Sequence, residues 1–203
     1  MTVGAFLSVF LTMKRIALMI GVLFCILNTN AQAIFPVEKS IDFYIAGKGY
    51  PKNAYLKDIN NLFDKYLGNW TAKYNGRDYT FMITKGIRSY DVGKEDILEI
   101  RYLVVNANGT VEEDTRNTVR PGIRGQFFNA DHSTYMCHYY GKKAKCGQAG
   151  TLYFSPEINP NQMTLSLITK AMLIADGECL DFDPDTQQIF PLMRLEQFMT
   201  LIK

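Results

Sequence analysis

Asp131, His132 and Ser133 supply the residue types of a nucleophilic triad. Their adjacency works against that chemistry, because neighbouring side chains diverge while a triad needs convergence from separate elements. A loop histidine flanked by turn residues accounts for them. His138 sits inside a strand-like stretch and reads as a solvent-facing residue. Among the carboxylates, Glu95-Asp96 and Glu112-Glu113-Asp114 are the candidates for acid/base work. Nothing in the sequence sets two of them about 5–9 Å apart, as glycoside hydrolysis requires. Asp181, Asp183 and Asp185 alternate as calcium ligands do, but without the glycine and closing glutamate of an EF-hand loop. There is no phosphate-cradling glycine loop and no H-E-x-x-H pair. The expectation is no catalytic residue, no metal and no cofactor.

Of four cysteines, Cys25 lies in the N-terminal leader, which leaves Cys137, Cys146 and Cys179. The stretch Tyr135 to Cys146 reads as a hairpin with its midpoint between Gly141 and Lys142, the sequence of a two-residue type II′ turn. Counting outward places Tyr140 opposite Lys143, His138 opposite Lys145, and Cys137 opposite Cys146. That last position is a non-hydrogen-bonded pair, where Cα atoms approach to about 4.5 Å. The spacing predicts a Cys137–Cys146 cross-strand disulfide and a buried free Cys179; three reduced cysteines packed as small hydrophobes are the alternative. A zinc site from Cys137, His138 and Cys146 lacks a fourth ligand, and strand neighbours point to opposite faces.

Residues 1–33 contain no acid. Lys14 and Arg15 precede an apolar run from Ile16 to Leu27, and Ala31-Gln32-Ala33 closes the segment. This is the pattern of a secretory signal peptide, with Met13 as the expected true start. The apolar run is too short for a permanent membrane span. A lipid anchor on Cys25 is disfavoured by Phe24 before it, so the product is expected in the periplasm or outside the cell. Removing the leader takes away Lys14 and Arg15 and brings the formal charge of +2 to zero. A neutral chain has no footprint for nucleic acid. With 47% hydrophobic and 13% aromatic residues, the remainder can build a core, and nothing in it marks a linker, so residues 34–203 read as one domain.

The elements expected in that domain are one helix and many strands. Leu56, Ile59, Leu62, Phe63 and Tyr66 fall on a single helical stripe, which predicts a helix over about 53–66 ended by Gly68. From Trp70 the period changes to two. Trp70, Ala72 and Tyr74 alternate with Thr71 and Lys73, and Asn75-Gly76 is a strong hairpin signal. Tyr79, Phe81 and Ile83 follow on one face, then Leu98, Ile100, Tyr102 and Val104, with an Asn108-Gly109 turn before 110–112. Further strands are expected at 125–128, 133–140, 143–154, 163–168 and 198–203. The fold class is therefore mainly β, an antiparallel up-and-down barrel or sandwich with an N-terminal helix covering one end.

Two resemblances rest on these residues. Gly68-Asn69-Trp70, after the expected helix and before a strand meander, is similar to the G-x-W opening of lipocalin and calycin barrels, where the Trp lies at the barrel floor. The longer run Leu62 to Trp70, the Asn-Gly hairpin, the Tyr79-Thr80-Phe81-Met82-Ile83 strand, Glu95 to Tyr102 and Asn108-Gly109 resembles an uncharacterised family of small exported proteins of the Bacteroidota. The family implies export and a β-rich fold; it brings no activity and no functional residue.

The aromatics are the most suggestive feature: twelve Tyr, thirteen Phe and one Trp. Inward Trp70, Tyr74, Tyr79, Phe81, Tyr102, Tyr135 and Tyr139 are the candidate lining of a ligand cavity with polar tips. The same rings would equally fill a barrel core. The leading expectation is a non-enzymatic calycin-like binder of a small, partly apolar ligand. The alternatives are a structural or protein-interaction module of the cell envelope with a filled core, and a hydrolase with acids from distant loops.

Overall fold

Apolar residues at every second position require strands with one face buried, and the computed structural model has that architecture. It describes residues 13–14, 32–170, 179, 181, 183 and 187–203; Cys25, Asp185 and most of the leader lie outside them. The strands are β1 (Ala33–Pro36), β2 (Ala54–Lys57), β3 (Gly68–Tyr74), β4 (Arg77–Tyr90), β5 (Gly93–Asn106), β6 (Val111–Asp114), β7 (Ile123–Phe128), β8 (Tyr135–Tyr140), β9 (Ala149–Pro156), β10 (Gln162–Thr169) and β11 (Met199–Ile202). A short helix, α1, spans Ser40–Ala46. Eight strands close a barrel in the order β3-β4-β5-β7-β8-β9-β10-β11 and back to β3. The seams are Glu99↔Arg124 and Ile100↔Ile123 between β5 and β7, and Ile202↔Thr71 between β11 and β3.

Local sequence explains the pairing. Asn75 and Gly76 both take left-handed φ, 47° and 71°, and join β3 to β4 with Tyr74 opposite Arg77. This is the two-residue turn whose twist matches the strands. It puts Trp70 opposite Phe81 and Ala72 opposite Tyr79, all facing inward. The β4–β5 ladder then runs in register from Arg77↔Asn106 to Tyr90↔Gly93. On its other edge β5 carries β2 in parallel at its start, β7 in the middle and β6 at its end. Gly93 makes the first of these contacts possible, since a Cβ there would lie 2.2 Å from the Ala54 carbonyl oxygen.

The helix expected at 53–66 does not form. Its start is β2, and the rest is a series of tight turns, with Asp64, Tyr66 and Leu67 amides donating three residues back. Asn53 and Asn61 take φ of 60° and 54°, a conformation that breaks a helix. The Asp58 carboxylate, fully buried, accepts from the Leu62 and Phe63 amides and pairs with Lys85 at 2.7 Å. Asp96 holds the Asp58 amide at 2.9 Å. These bonds offer the backbone an alternative to a helix. Phe63 and Tyr66 still reach the core, while Ile59 faces solvent. A turn segment, not a helix, covers this end of the barrel, and the helix stands earlier in the chain.

The expected Cys137–Cys146 bridge is replaced by Cys146–Cys179, with S–S 2.00 Å and Cα atoms 5.5 Å apart. The reason is register. β8 and β9 are joined by residues 141–148, containing a short 3-10 turn at Ala144–Cys146, and not by a two-residue turn. Cys137 therefore faces Leu152, and His138 faces Thr151. Cys137 points into the core as a free thiol, its pKa pushed up by burial, and Cys146 is left outside the ladder.

Candidate functional site

The seven aromatics singled out from the sequence come together. Trp70, Tyr79, Phe81, Tyr102, Tyr135 and Tyr139 are buried in the barrel interior, and Tyr74 packs against them half-buried. At one end Trp70 donates its indole N–H to the Tyr66 carbonyl at 2.8 Å, and Phe63 meets Tyr135 at 5.2 Å. At the other end Phe190 enters from the chain before β11. Its ring lies 4.9 Å from Tyr139, 5.5 Å from Tyr102, 6.0 Å from Tyr79 and 6.2 Å from Phe81. Tyr79 donates its hydroxyl to the Ile189 carbonyl, which ties the Phe190 segment down. These are offset and edge-to-face spacings, so each ring is occupied by another.

A second group of aromatics stands outside the barrel wall. Helix α1 ends at Gly47, whose amide bonds back to the Tyr44 carbonyl at 3.2 Å, and the chain returns through Gly49 to Tyr50. This lays Phe43, Tyr44 and Tyr50 over the outer faces of the β4–β5 hairpin and of β7–β8. Between them lies an open cleft of about 490 Å³ lined by Phe43, Tyr44, Tyr50, Arg88, Tyr90, Gln126, Phe127 and His138, among others. Tyr44 and Phe127 have ring centroids 4.8 Å apart; Tyr50 lies 5.7 Å from Phe43 and 5.6 Å from Tyr90. The volume falls within the range of small-molecule sites.

The cleft has a polar floor. Arg88 and Glu95 face each other across the β4–β5 ladder and pair at 2.8 Å, with Glu95 fully buried. Tyr90 donates to the same carboxylate at 3.0 Å and Tyr50 at 3.3 Å. Arg88 also donates to the Gly125 carbonyl at 2.9 Å and lies 5.2 Å from the Tyr90 ring centroid. Burial raises the Glu95 pKa, an effect opposed by Arg88 and the two phenols. Burial likewise raises the phenols of Tyr50 and Tyr90. His138, on the outer face of β8, has its pKa lowered by burial and by the charges of Arg88 and Lys170. The floor therefore arrives with its charges matched, and the walls are apolar rings.

The remaining candidates sit apart. Asp131 and Ser133 are exposed, and the Asp131 carboxylate caps the Ser133 amide at 2.9 Å in a loop where His132 has φ of 59°. Glu113 is the other buried carboxylate with a pKa raised by desolvation. It pairs across from Val104, nine residues along β5 from Glu95. At the rise of a strand that is about 30 Å, too far for an acid/base pair. Asp181 and Asp183 are exposed. Among the described residues no cluster of His, Cys, Asp and Glu could hold a metal, and no helix is long and apolar enough to cross a membrane.

The sequence pointed to Glu95 only as a candidate acid and to His138 as a solvent-facing residue, and gave no sign of Phe43, Tyr44, Tyr50, Arg88, Tyr90 or Phe127 as a site. One signal was present: Glu95 and Asp96 open a run, Ile97 to Tyr102, rich in apolar residues. Acids continuous with a core strand are the ones that need internal partners. Comparison with models of protein families, with curated proteins and with solved structures gives no match.

Proposed function

We propose that this is an exported, non-enzymatic binding protein of calycin-like design, and that its small, partly apolar ligand sits in the cleft outside the barrel. One observation carries the reading. Five rings (Phe43, Tyr44, Tyr50, Tyr90 and Phe127) surround open space over the charge-paired Arg88 and Glu95, whereas the rings inside the barrel are packed on each other. Concave apolar walls with a few placed polar groups are the ordinary build of a small-ligand site. The signal-type leader and the Cys146–Cys179 bridge support export, since such bridges persist in oxidising compartments. The Gly68-Asn69-Trp70 opening, with its Trp near one barrel end, supports the calycin-like design.

The test is native mass spectrometry of the purified protein beside a Phe127→Ala variant. A small-molecule adduct carried by the wild type and lost from the variant is the expected result. An adduct that survives the substitution, or a wild type that carries none, overturns the cleft. The filled interior favours a second reading, an envelope interaction module; a mass corresponding to a stable protein complex in the same spectra would support it.

A further inference from the structure

Resting on the cleft reading, the arrangement of charge around the rings narrows the ligand further. A cluster of aromatic faces ordinarily attracts a cation. At Tyr90 that role is already taken, because the Arg88 guanidinium lies 5.2 Å from its ring centroid. The carboxylate an incoming ammonium would need is spent as well. Glu95 is fully buried and receives Arg88, Tyr90 and Tyr50.

The opposite side of the cleft leans the other way. His138 on β8 lies within electrostatic reach of Arg88 on β4 and Lys170 just beyond β10. Its partner across the β7–β8 ladder is the exposed Arg124. The acids near these groups are Glu95, engaged by Arg88, and Glu99, which stands opposite Arg124 on the β5–β7 ladder. On the lining of the cleft itself, the groups able to meet an anion are the Arg88 guanidinium and the His138 imidazole. The walls ask for a flat apolar body, and this side asks for negative charge.

We infer that the cleft takes a small aromatic carboxylate, its ring held among Tyr44, Phe127 and Tyr90 and its acid group on the His138 and Arg88 side. The carboxylate there meets a guanidinium edge and an imidazole, both able to donate charge-assisted hydrogen bonds. Binding of the anion favours the protonated imidazole, so affinity strengthens as pH falls toward the lowered pKa of His138. A carboxylic acid of ordinary strength stays ionised down to about pH 5.

Three probes sharing one ring system separate the charge classes: indole-3-acetate, its neutral amide, and tryptamine. Calorimetric titration of the purified protein is expected to rank the acid at least tenfold tighter than the amide, with the amine weakest. Phe127→Ala is expected to weaken acid and amide together. His138→Gln is expected to weaken the acid several-fold more than the amide, and to flatten the acid's gain between pH 7.5 and 5.5. An amide or amine that binds as tightly as the acid, with both lost in Phe127→Ala, overturns the acid class and leaves the cleft standing. Equal binding by wild type and Phe127→Ala, or no heat from any probe at millimolar concentration, overturns the cleft and this inference with it.

Discussion

The barrel interior and the outer cleft are built from the same residue types and differ in what the rings meet. Inside, Phe190 is 1% exposed and touches four other rings, and the strands present their alternate side chains to one another. Outside, Tyr44 is 65% and Tyr90 38% exposed, and the rings border space with a charged pair beneath them. Aromatic content alone thus says nothing about binding. A ring whose faces are covered by other rings stabilises the fold, and a ring with one face left open over a matched polar floor is available to a ligand.

Substitutions at the two places should therefore separate stability from binding. Phe190→Ala is expected to cost about 3–5 kcal/mol, as large-to-small changes in a packed core do. Its urea midpoint should fall sharply; a drop under 1 kcal/mol would mean the interior is loose and the contrast false. Replacing both Cys146 and Cys179 by Ser removes the bridge. The bridge closes a loop of 33 residues, for which chain entropy gives about 3–4 kcal/mol. Thermal melts of wild type with and without reductant should reproduce that loss, and the double variant should not respond to reductant.

Glu95→Gln sharpens the comparison from the cleft side. It leaves Arg88, whose side chain is 26% exposed, without its counter-charge. The expected cost is about 3 kcal/mol, the low end for a broken buried pair, read by denaturant titration. Tyr44→Ala should change stability by no more than about 0.5 kcal/mol while weakening the aromatic acid probe at least tenfold. Smallest of all is a pH effect at His138. Its folded pKa is lowered below the ordinary 6.5, so its contribution is present above that value and is lost as pH falls through the lowered one. Melting of His138→Gln should fall less between pH 7 and 5 than that of wild type.

The interior was legible because alternation is local. Trp70, Tyr79, Phe81 and Tyr102 announce their facing through neighbours two residues away, and the Asn75-Gly76 turn sets their register. The cleft was not legible because its walls come from α1, the far end of the β4–β5 hairpin, β7 and β8, which meet only once the barrel closes. The expected helix failed for a related reason. Leu56, Phe63 and Tyr66 are all buried, but through a strand and turns pinned by Asp58 and Asp96, partners 38 residues apart. The disulfide partner was not legible because eight residues, not two, join β8 to β9, which gives Cys137 to the core and Cys146 to a distant loop.

The seam between β3 and β11 joins Thr71 to Ile202, residues 131 apart. Until Met199–Ile202 arrive, β3 and β10 are bare edges of an open sheet, and the rings between them have no wall on one side. Long-range closure of this kind is slow, and the barrel cannot shut before β11 has reached β3. Without Met199–Ile202 the local hairpins would still pair, but the sheet would be left with two unsealed margins, prone to stick to its own kind.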